Sequence, residues 1–430
     1  MFHSVPPFIE NVALVEWSLN CAESGVSGRI FYCFNWNCKN NQEIEDTAET
    51  GLFNYEPRHI MTSENSAYLQ GGTEDRERWE SIIRAVSPEY RFLDQHWYSV
   101  WGRDYAANNA QLLAVTYSEN DNPLVSKGIF PVVVRRLHGI SVLSMAGYYY
   151  PFRSFICNPE YKDHAAIKFV DTVKNDSSAQ IVQLGRLQAT DVVCDALDTA
   201  FRDRKWKVCK IRAGNQQIVK LPASVPEFRA GLSRNLRKNH DRRKRQLEAK
   251  SGFEIAYYTG CDKATWERVI NQCAEVESRS WLNIEGQNTR VYESEAFWKS
   301  YSADQNGSNR LAVCVLTMDA KPIAYSLAID SGKCRYSISG QYDVDYKKLG
   351  VGIIADMVMF EQAIESGLEV VNMGEGEWDY KSRWGAEPGP ALQSYYMFRP
   401  GLIGFGLYSM FVTVNHLRKS SLFSWLNKFF

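Results

Sequence analysis

The chain has 430 residues, enough for two domains that each bury a core. Its 49 Lys and Arg balance 50 Asp and Glu, and 45% of residues are hydrophobic, which excludes a disordered tail, a membrane bundle and a globally basic nucleic-acid binder. Any contact with nucleic acid or with a membrane must therefore be local.

The first fifteen residues lack a basic segment followed by an apolar core, so no secretory signal and a cytoplasmic location are expected. Residues 1–75, rich in Asn, Glu, Ser and Thr, read as a loosely ordered extension with one short strand at RIFYCFNW. The ten cysteines follow no repeating spacing and read as reduced thiols. Cys21, Cys33 and Cys38 have no nearby histidine or second pair to complete a site, so no metal is expected.

From PEYRFLDQHWYSVWG onward the pattern changes. AQLLAVTYS, KGIFPVVVRRL and ISVLSMAG read as a meander of short strands. A helix near AAIKFVDTV, a strand AQIVQLGRL, a helix DVVCDALDTAFRD and a strand KWKVCKIRA complete a first domain over 76–222. A second domain spans 223–400. It opens with a helical stretch whose Ser224 and Glu227 stand at capping-box spacing, with Pro226 in the first turn. Downstream come the strand FEIAYYT, helices around ATWERVINQCAEVES and SEAFWKSYS, and the strands RLAVCVLTMD, KPIAYSLAID and KCRYSISGQYD. A helix, the strand LEVVNMG and a last strand LQSYYMFR follow. Three antiparallel strands, a helix and a strand occur in both blocks, which points to an internal duplication and a mixed α/β fold.

The helix of the second block begins at YKKLGVGIIADMVMF. A helix N-terminus presents unpaired N–H groups and the positive end of a dipole, and glycines let a phosphate approach them. Gly350 and Gly352 stand at that point, Val351 between them, with Lys347 and Lys348 at the rim. The residues alone leave two readings open, a phosphate cradle or a plain strand-to-helix turn with solvated lysines. Residues 233–245 hold seven Lys or Arg opposed only by Asp241. Such a run serves RNA phosphate, an anionic envelope precursor, or solvent. No aromatic residue is interleaved with these cations, as single-stranded nucleic-acid binding would favour.

The strands, the [KRQ]-x-x-G-x-G turn and the amphipathic helix together resemble the acyl-coenzyme A loop of GNAT acetyltransferases. Three stretches sharpen the likeness to the CelD/BcsL-type group, a tandem-domain branch related to the Fem-type aminoacyl transferases of peptidoglycan cross-bridge synthesis. These are the basic helix with Arg234, Arg237 and Lys238, the stretch ESRSWLNIEG centred on Trp281, and NMGEGEWDYKSRWG with Tyr380, Lys381 and Trp384. The resemblance covers 230–400 well and 90–222 weakly. One departure is Leu349, where many relatives carry proline.

The resemblance implies tandem GNAT-like domains, the second catalytic, with acyl-coenzyme A as co-substrate held at Lys347, Lys348, Gly350, Val351 and Gly352. It implies direct attack with no covalent intermediate, and the expected acceptor is an amine or hydroxyl of an amino sugar or amino acid in a cell-envelope polysaccharide or its precursor. Glu375, in an acidic glycine-rich turn, is the first choice for the base, Tyr380 for a proton donor, and Lys381 for a cation at the reacting groups. Trp281, Arg237, Arg383 and Trp384 are the candidates for acceptor binding. A Fem-type transferase using aminoacyl-tRNA and a catalytically silent GNAT-fold binding protein are the alternatives. The last stretch, 401–430, is apolar and basic without an acid, and reads either as packing or as a helix making a peripheral contact with a membrane.

Overall fold

The computed structural model describes residues 73–105, 111–118, 126–137, 139–148, 151–280, 295–376 and 379–418. The expected N-terminal extension, except for its last three residues, and Trp281 lie outside them.

The first block opens with helices α1 (Thr73–Ile83) and α2 (Gln95–Tyr105). Strands β1 (Gln111–Ser118), β2 (Ser126–Leu137) and β3 (Ile140–Met145) form the expected antiparallel meander, with the short β4 (Ile156–Cys157) beside β2. Helix α3 (Lys162–Asp176) then carries the chain over to β5 (Ile181–Gln188), which lies parallel to β3. Helix α4 (Val192–Asp203) and β6 (Lys207–Lys220) follow.

The second block starts with α5 (Val225–Gly231) and α6 (Arg234–Glu248), where the sequence suggested one helical stretch. The break has a local cause. Ser224 caps α5 through Glu227 N, while Ser233 caps α6 through Leu236 N at 3.2 Å, and Leu232 between them is extended. Strand β7 (Phe253–Thr259), α7 (Lys263–Ser278), α8 (Glu295–Ser302) and α9 (Gln305–Arg310) come next. Strands β8 (Leu311–Met318), β9 (Lys321–Ser331) and β10 (Cys334–Tyr342) repeat the antiparallel meander. Helix α10 (Val351–Glu365) crosses to β11 (Val370–Glu375), parallel to β10. The chain ends its described part with α11 (Asp379–Ser382), β12 (Glu387–Phe398) and α12 (Leu402–Arg418).

All the strands belong to one mixed sheet, ordered β1-β2-β3-β5-β12-β6-β11-β10-β9-β8-β7 with β4 off this path. The two blocks exchange their last strands: β6 pairs with β11 of the second block, and β12 runs between β5 and β6. A single aromatic core spans both. Trp79, Trp97 and Phe92 of the first block share it with Trp266, Phe297 and Tyr325 of the second. Trp97 meets Phe92, Phe297 and Tyr301 edge to face at 5.0–5.5 Å. Burial of this kind makes each large side chain worth about 3–5 kcal/mol against truncation to alanine. No helix of the described residues is long and apolar enough to cross a membrane.

Candidate active site

The parallel pair β10–β11 is short. Only Cys334–Tyr336 face Val370–Asn372, after which β10 bulges between Ser337 and Ser339 and stays with β9 while β11 continues beside β6. A wedge therefore opens in the sheet. On that side the backbone of Ser339–Tyr342 has no neighbouring strand among the described residues, and its N–H and C=O groups need partners.

At the far end of β10 the chain enters a tight 3-10 segment, Val344–Leu349, capped by Asp343, whose Oδ1 accepts from Asp345 N at 3.0 Å. Asp343 is buried and gripped by Arg279 at 2.7 Å and Lys321 at 3.0 Å, and these partners hold its carboxyl below the ordinary range despite its burial. Arg279 also donates to Pro322 O of β9 at 2.6 Å, and through Asp343 it fastens the C-terminal end of α7 to the segment that delivers the glycines.

Gly350 then turns with φ 65° and ψ 35°, a left-handed conformation that costs other residues about 1–2 kcal/mol. Helix α10 starts at once, with no side chain capping its first N–H groups. A second constraint on Gly350 is contact: a Cβ there would lie 2.3 Å from Nη1 of Arg243. The guanidinium of the basic helix thus overlies the glycine turn. A Cβ on Gly352 would lie 3.2 Å from the Tyr342 ring. Lys347 and Lys348 are exposed at the rim, whereas the Val351 side chain is wholly buried, so Val351 can serve only through its backbone N–H. Arg237 is partly buried on α6, and its Nε has no hydrogen-bond partner among the described residues.

The other wall of the wedge is the end of β11. Glu375 forms an ion pair with Arg186 of β5. Burial raises its carboxyl, and Arg186 and then Lys381 oppose that rise. Lys381 is 4% exposed, and its ammonium donates to the carbonyls of Glu375 at 2.6 Å and Gly374 at 3.3 Å. Desolvation brings this lysine down to about 8, against the pull of Glu375. The Tyr380 ring is accessible and lies 5.9 Å from the Lys381 ammonium.

The sequence placed the base at Glu375, and the structure gives one oxygen of that carboxylate, Oε2, a guanidinium partner in Arg186. Trp384 is corrected. Its ring is 3% exposed and packs on Phe360 at 4.9 Å, so it closes the core and presents no face to an acceptor. Arg383 is exposed. Burial pushes the thiols of Cys157, Cys194 and Cys334 up to about 12, far from nucleophilic thiolates.

Sequence reasoning did not single out Arg243 and missed Arg186 altogether. For Arg243 a signal exists: it follows Leu236 and His240 and precedes Leu247 at helical spacing, and all three are buried. For Arg186 none exists, since 189 residues separate it from Glu375.

Residues 234–382 match the family model described as an acetyltransferase (GNAT) domain. No curated protein matches the chain. Among solved structures it is similar to FemX, with 11% identity, a TM-score of 0.53, and coverage of 79% of this chain and 98% of that one. It is also similar to the C-terminal domain of a putative lysylphosphatidylglycerol synthetase from Agrobacterium fabrum, at 14% identity, TM-score 0.48 and coverage of 79% and 96%. A third likeness is to L-PGS from Bacillus licheniformis, at 12% identity, TM-score 0.47 and coverage of 81% and 97%. The open wedge and the glycine turn thus lie within the segment, 234–382, that matches the GNAT domain model, in a chain whose fold is similar to that of FemX.

Proposed function

We propose that the protein is an acyltransferase that moves an acyl group from an acyl-coenzyme A to an amine of an amino sugar or amino acid in a cell-envelope polysaccharide or its precursor. The observation that carries this reading is the open wedge ending in a glycine turn overlain by Arg243. A thioester arm can add along the free edge of β10 through backbone hydrogen bonds. Its phosphates then meet the N–H groups of Val351 and Gly352, the Arg243 guanidinium and the Lys347–Lys348 rim.

In this reading the acceptor nitrogen attacks the thioester carbonyl, the amide bond forms, the carbon–sulfur bond breaks, and the thiolate leaves with a proton. Backbone N–H groups of β10 beyond the bulge and the buried Lys381 ammonium balance the charge that develops on the carbonyl oxygen. Glu375 holds Arg186 and biases Lys381 towards its charged form. Tyr380 gives the thiolate its proton in this reading, which its accessibility beside Lys381 supports. Arg237 and Arg383 serve an anionic group of the acceptor or donor.

A second reading, amino-acid transfer from aminoacyl-tRNA, is supported by the Fem-like fold and the exposed cations of α6. Peripheral contact with a membrane through 401–430 belongs to either reading. Leu402, Ile403, Phe405 and Val412 are exposed on α12, and the stretch carries no acid. Co-sedimentation with vesicles containing anionic lipid, lost on deletion of 401–430 from a protein that stays folded, supports that contact. The donor is tested by isothermal titration with acetyl-coenzyme A and with free coenzyme A, for the wild type and a Gly350→Asp/Gly352→Asp variant. Saturable binding that the folded variant loses supports the acyl-coenzyme A reading. A folded wild type that binds neither compound rejects it and moves the test to aminoacyl-tRNA.

A further inference from the structure

On the α7 face of the sheet, beside the wedge, lies a carboxylate that the mechanism above leaves unused. Glu277, near the C-terminal end of α7, is largely buried, and no cation is paired with it among the described residues. Its Oε1 accepts a hydrogen bond from the Tyr325 hydroxyl of β9, which is itself fully enclosed. The Tyr325 hydroxyl is 2.8 Å from Ser339 Oγ. Ser339 belongs to the part of β10 that has left β11, directly after the bulge, and it is partly accessible. The hydrogen-bonded chain therefore runs from the wall of the donor wedge to a buried acid.

The groups around Glu277 do not neutralise it. From β9 it meets Tyr325, and along its own helix Cys273 stands one turn back, a thiol kept protonated by burial. Glu275 and Arg279, its neighbours on α7, pair with each other, and Arg279 also holds Asp343. That last contact ties the helix end carrying Glu277 to the segment carrying the glycine turn, so relay and donor site keep one geometry. A largely buried carboxyl with no paired cation among the described residues, pushed upward by desolvation and hydrogen-bonded to Tyr325, suits a proton acceptor.

We propose that Ser339, Tyr325 and Glu277 form the proton relay that deprotonates the acceptor amine. This inference rests on the acyl-coenzyme A reading. The acceptor ammonium gives a proton to Ser339 Oγ, Ser339 passes its own to Tyr325 Oη, and Tyr325 passes its own to the Glu277 carboxylate. A neutral amine and a carboxylic acid result. After attack, the second N–H proton leaves with the thiolate, and Glu277 returns its proton to solvent along the same chain.

The test measures thiol release from acetyl-coenzyme A with a panel of amino sugars and amino acids, as a function of pH, for wild type, Glu277→Gln, Tyr325→Phe, Ser339→Ala and Ser339→Thr. Acetyl-coenzyme A affinity is measured on each by titration calorimetry. The relay predicts a fall in kcat of about 10²–10³-fold in the first three variants. It also predicts loss of the acid limb in Glu277→Gln, recovery in Ser339→Thr, and unchanged donor affinity throughout. Wild-type turnover and an intact acid limb in Glu277→Gln overturn the relay and leave the donor reading standing. So does a wild type that binds acetyl-coenzyme A but acylates no amine. A wild type that does not bind it overturns the donor reading, and the relay with it.

Discussion

The two blocks build the same crossover twice, and among the described residues only the second splays open beyond its parallel pair. In the second, β10 and β11 part and no described strand lies between them. In the first, β3 and β5 pair over Val142–Ser144 and Ile181–Gln183, and the space beyond is filled by the chain itself. Arg153 makes a single parallel bridge to Leu187, its N–H donates to Arg186 O, and its guanidinium ties the carbonyls of Gly147 and Gly185 at 2.9 Å each. The helix starts differ too. Helix α3 begins behind Pro159 with Glu160 and Asp163 nearby, which repel a phosphate. Helix α10 begins at a bare glycine turn flanked by Lys347, Lys348 and Arg243. Topology is thus shared, while competence depends on what occupies the wedge and on the charge at the helix N-terminus.

The largest expected effect is at the glycine turn. In the Gly350→Asp/Gly352→Asp variant a Cβ meets Arg243, another meets Tyr342, and two carboxylates face the phosphates. Affinity for acetyl-coenzyme A should fall more than about 100-fold, read by calorimetry on a variant whose circular dichroism is unchanged.

Next is Lys381→Met, which should lower kcat by about 10²-fold with little change in donor affinity. The wild type should lose activity as pH rises through about 8, where the buried ammonium gives up its proton, and the variant should lack that limb. Stability moves the other way. Between the folded value near 8 and the ordinary 10.5, the unfolded chain keeps a proton that the folded one has lost, so folding free energy grows with pH across that window. Urea titrations at pH 8 and 10 check the sign, and Lys381→Met should flatten the difference.

A smaller effect is expected from Arg243→Ala. Losing one charge-assisted hydrogen bond is worth about 1.5–3 kcal/mol, roughly ten- to a hundredfold in donor affinity. An Arg234→Ala exchange, on the exposed side of the same helix, should leave that affinity unchanged and so separates the overlying guanidinium from bulk charge.

How far the site was legible follows from the range of the interactions. The strands of the second block, the glycine turn and the Ser224 cap are encoded within a few residues, by alternation, by a left-handed turn and by a hydroxyl at capping distance. The exchange of β6 and β12 is not, because either strand could satisfy its alternation beside several neighbours. Glu375 looked free because its partner lies on β5, in the other block. Trp384 looked like an acceptor platform because a motif does not say which face of a ring is covered, and Phe360 covers this one. Ser339 reads as an ordinary strand residue until the bulge and the splay place its hydroxyl beside Tyr325.

The smallest effect on binding, and the sharpest control on the comparison, is at Arg153. If the first wedge is closed by the chain itself, Arg153→Ala removes a structural filler and touches no ligand. Its guanidinium satisfies two buried-side carbonyls and holds the bridge to Leu187. Unfolding free energy should drop by about 1–3 kcal/mol, measured by urea denaturation, because those acceptors lose their partner. Acetyl-coenzyme A should still bind with one site and wild-type affinity. A second binding event in that variant would mean the first wedge is a donor site held shut by one side chain, and the duplication would then hold two potential sites instead of one site and one support.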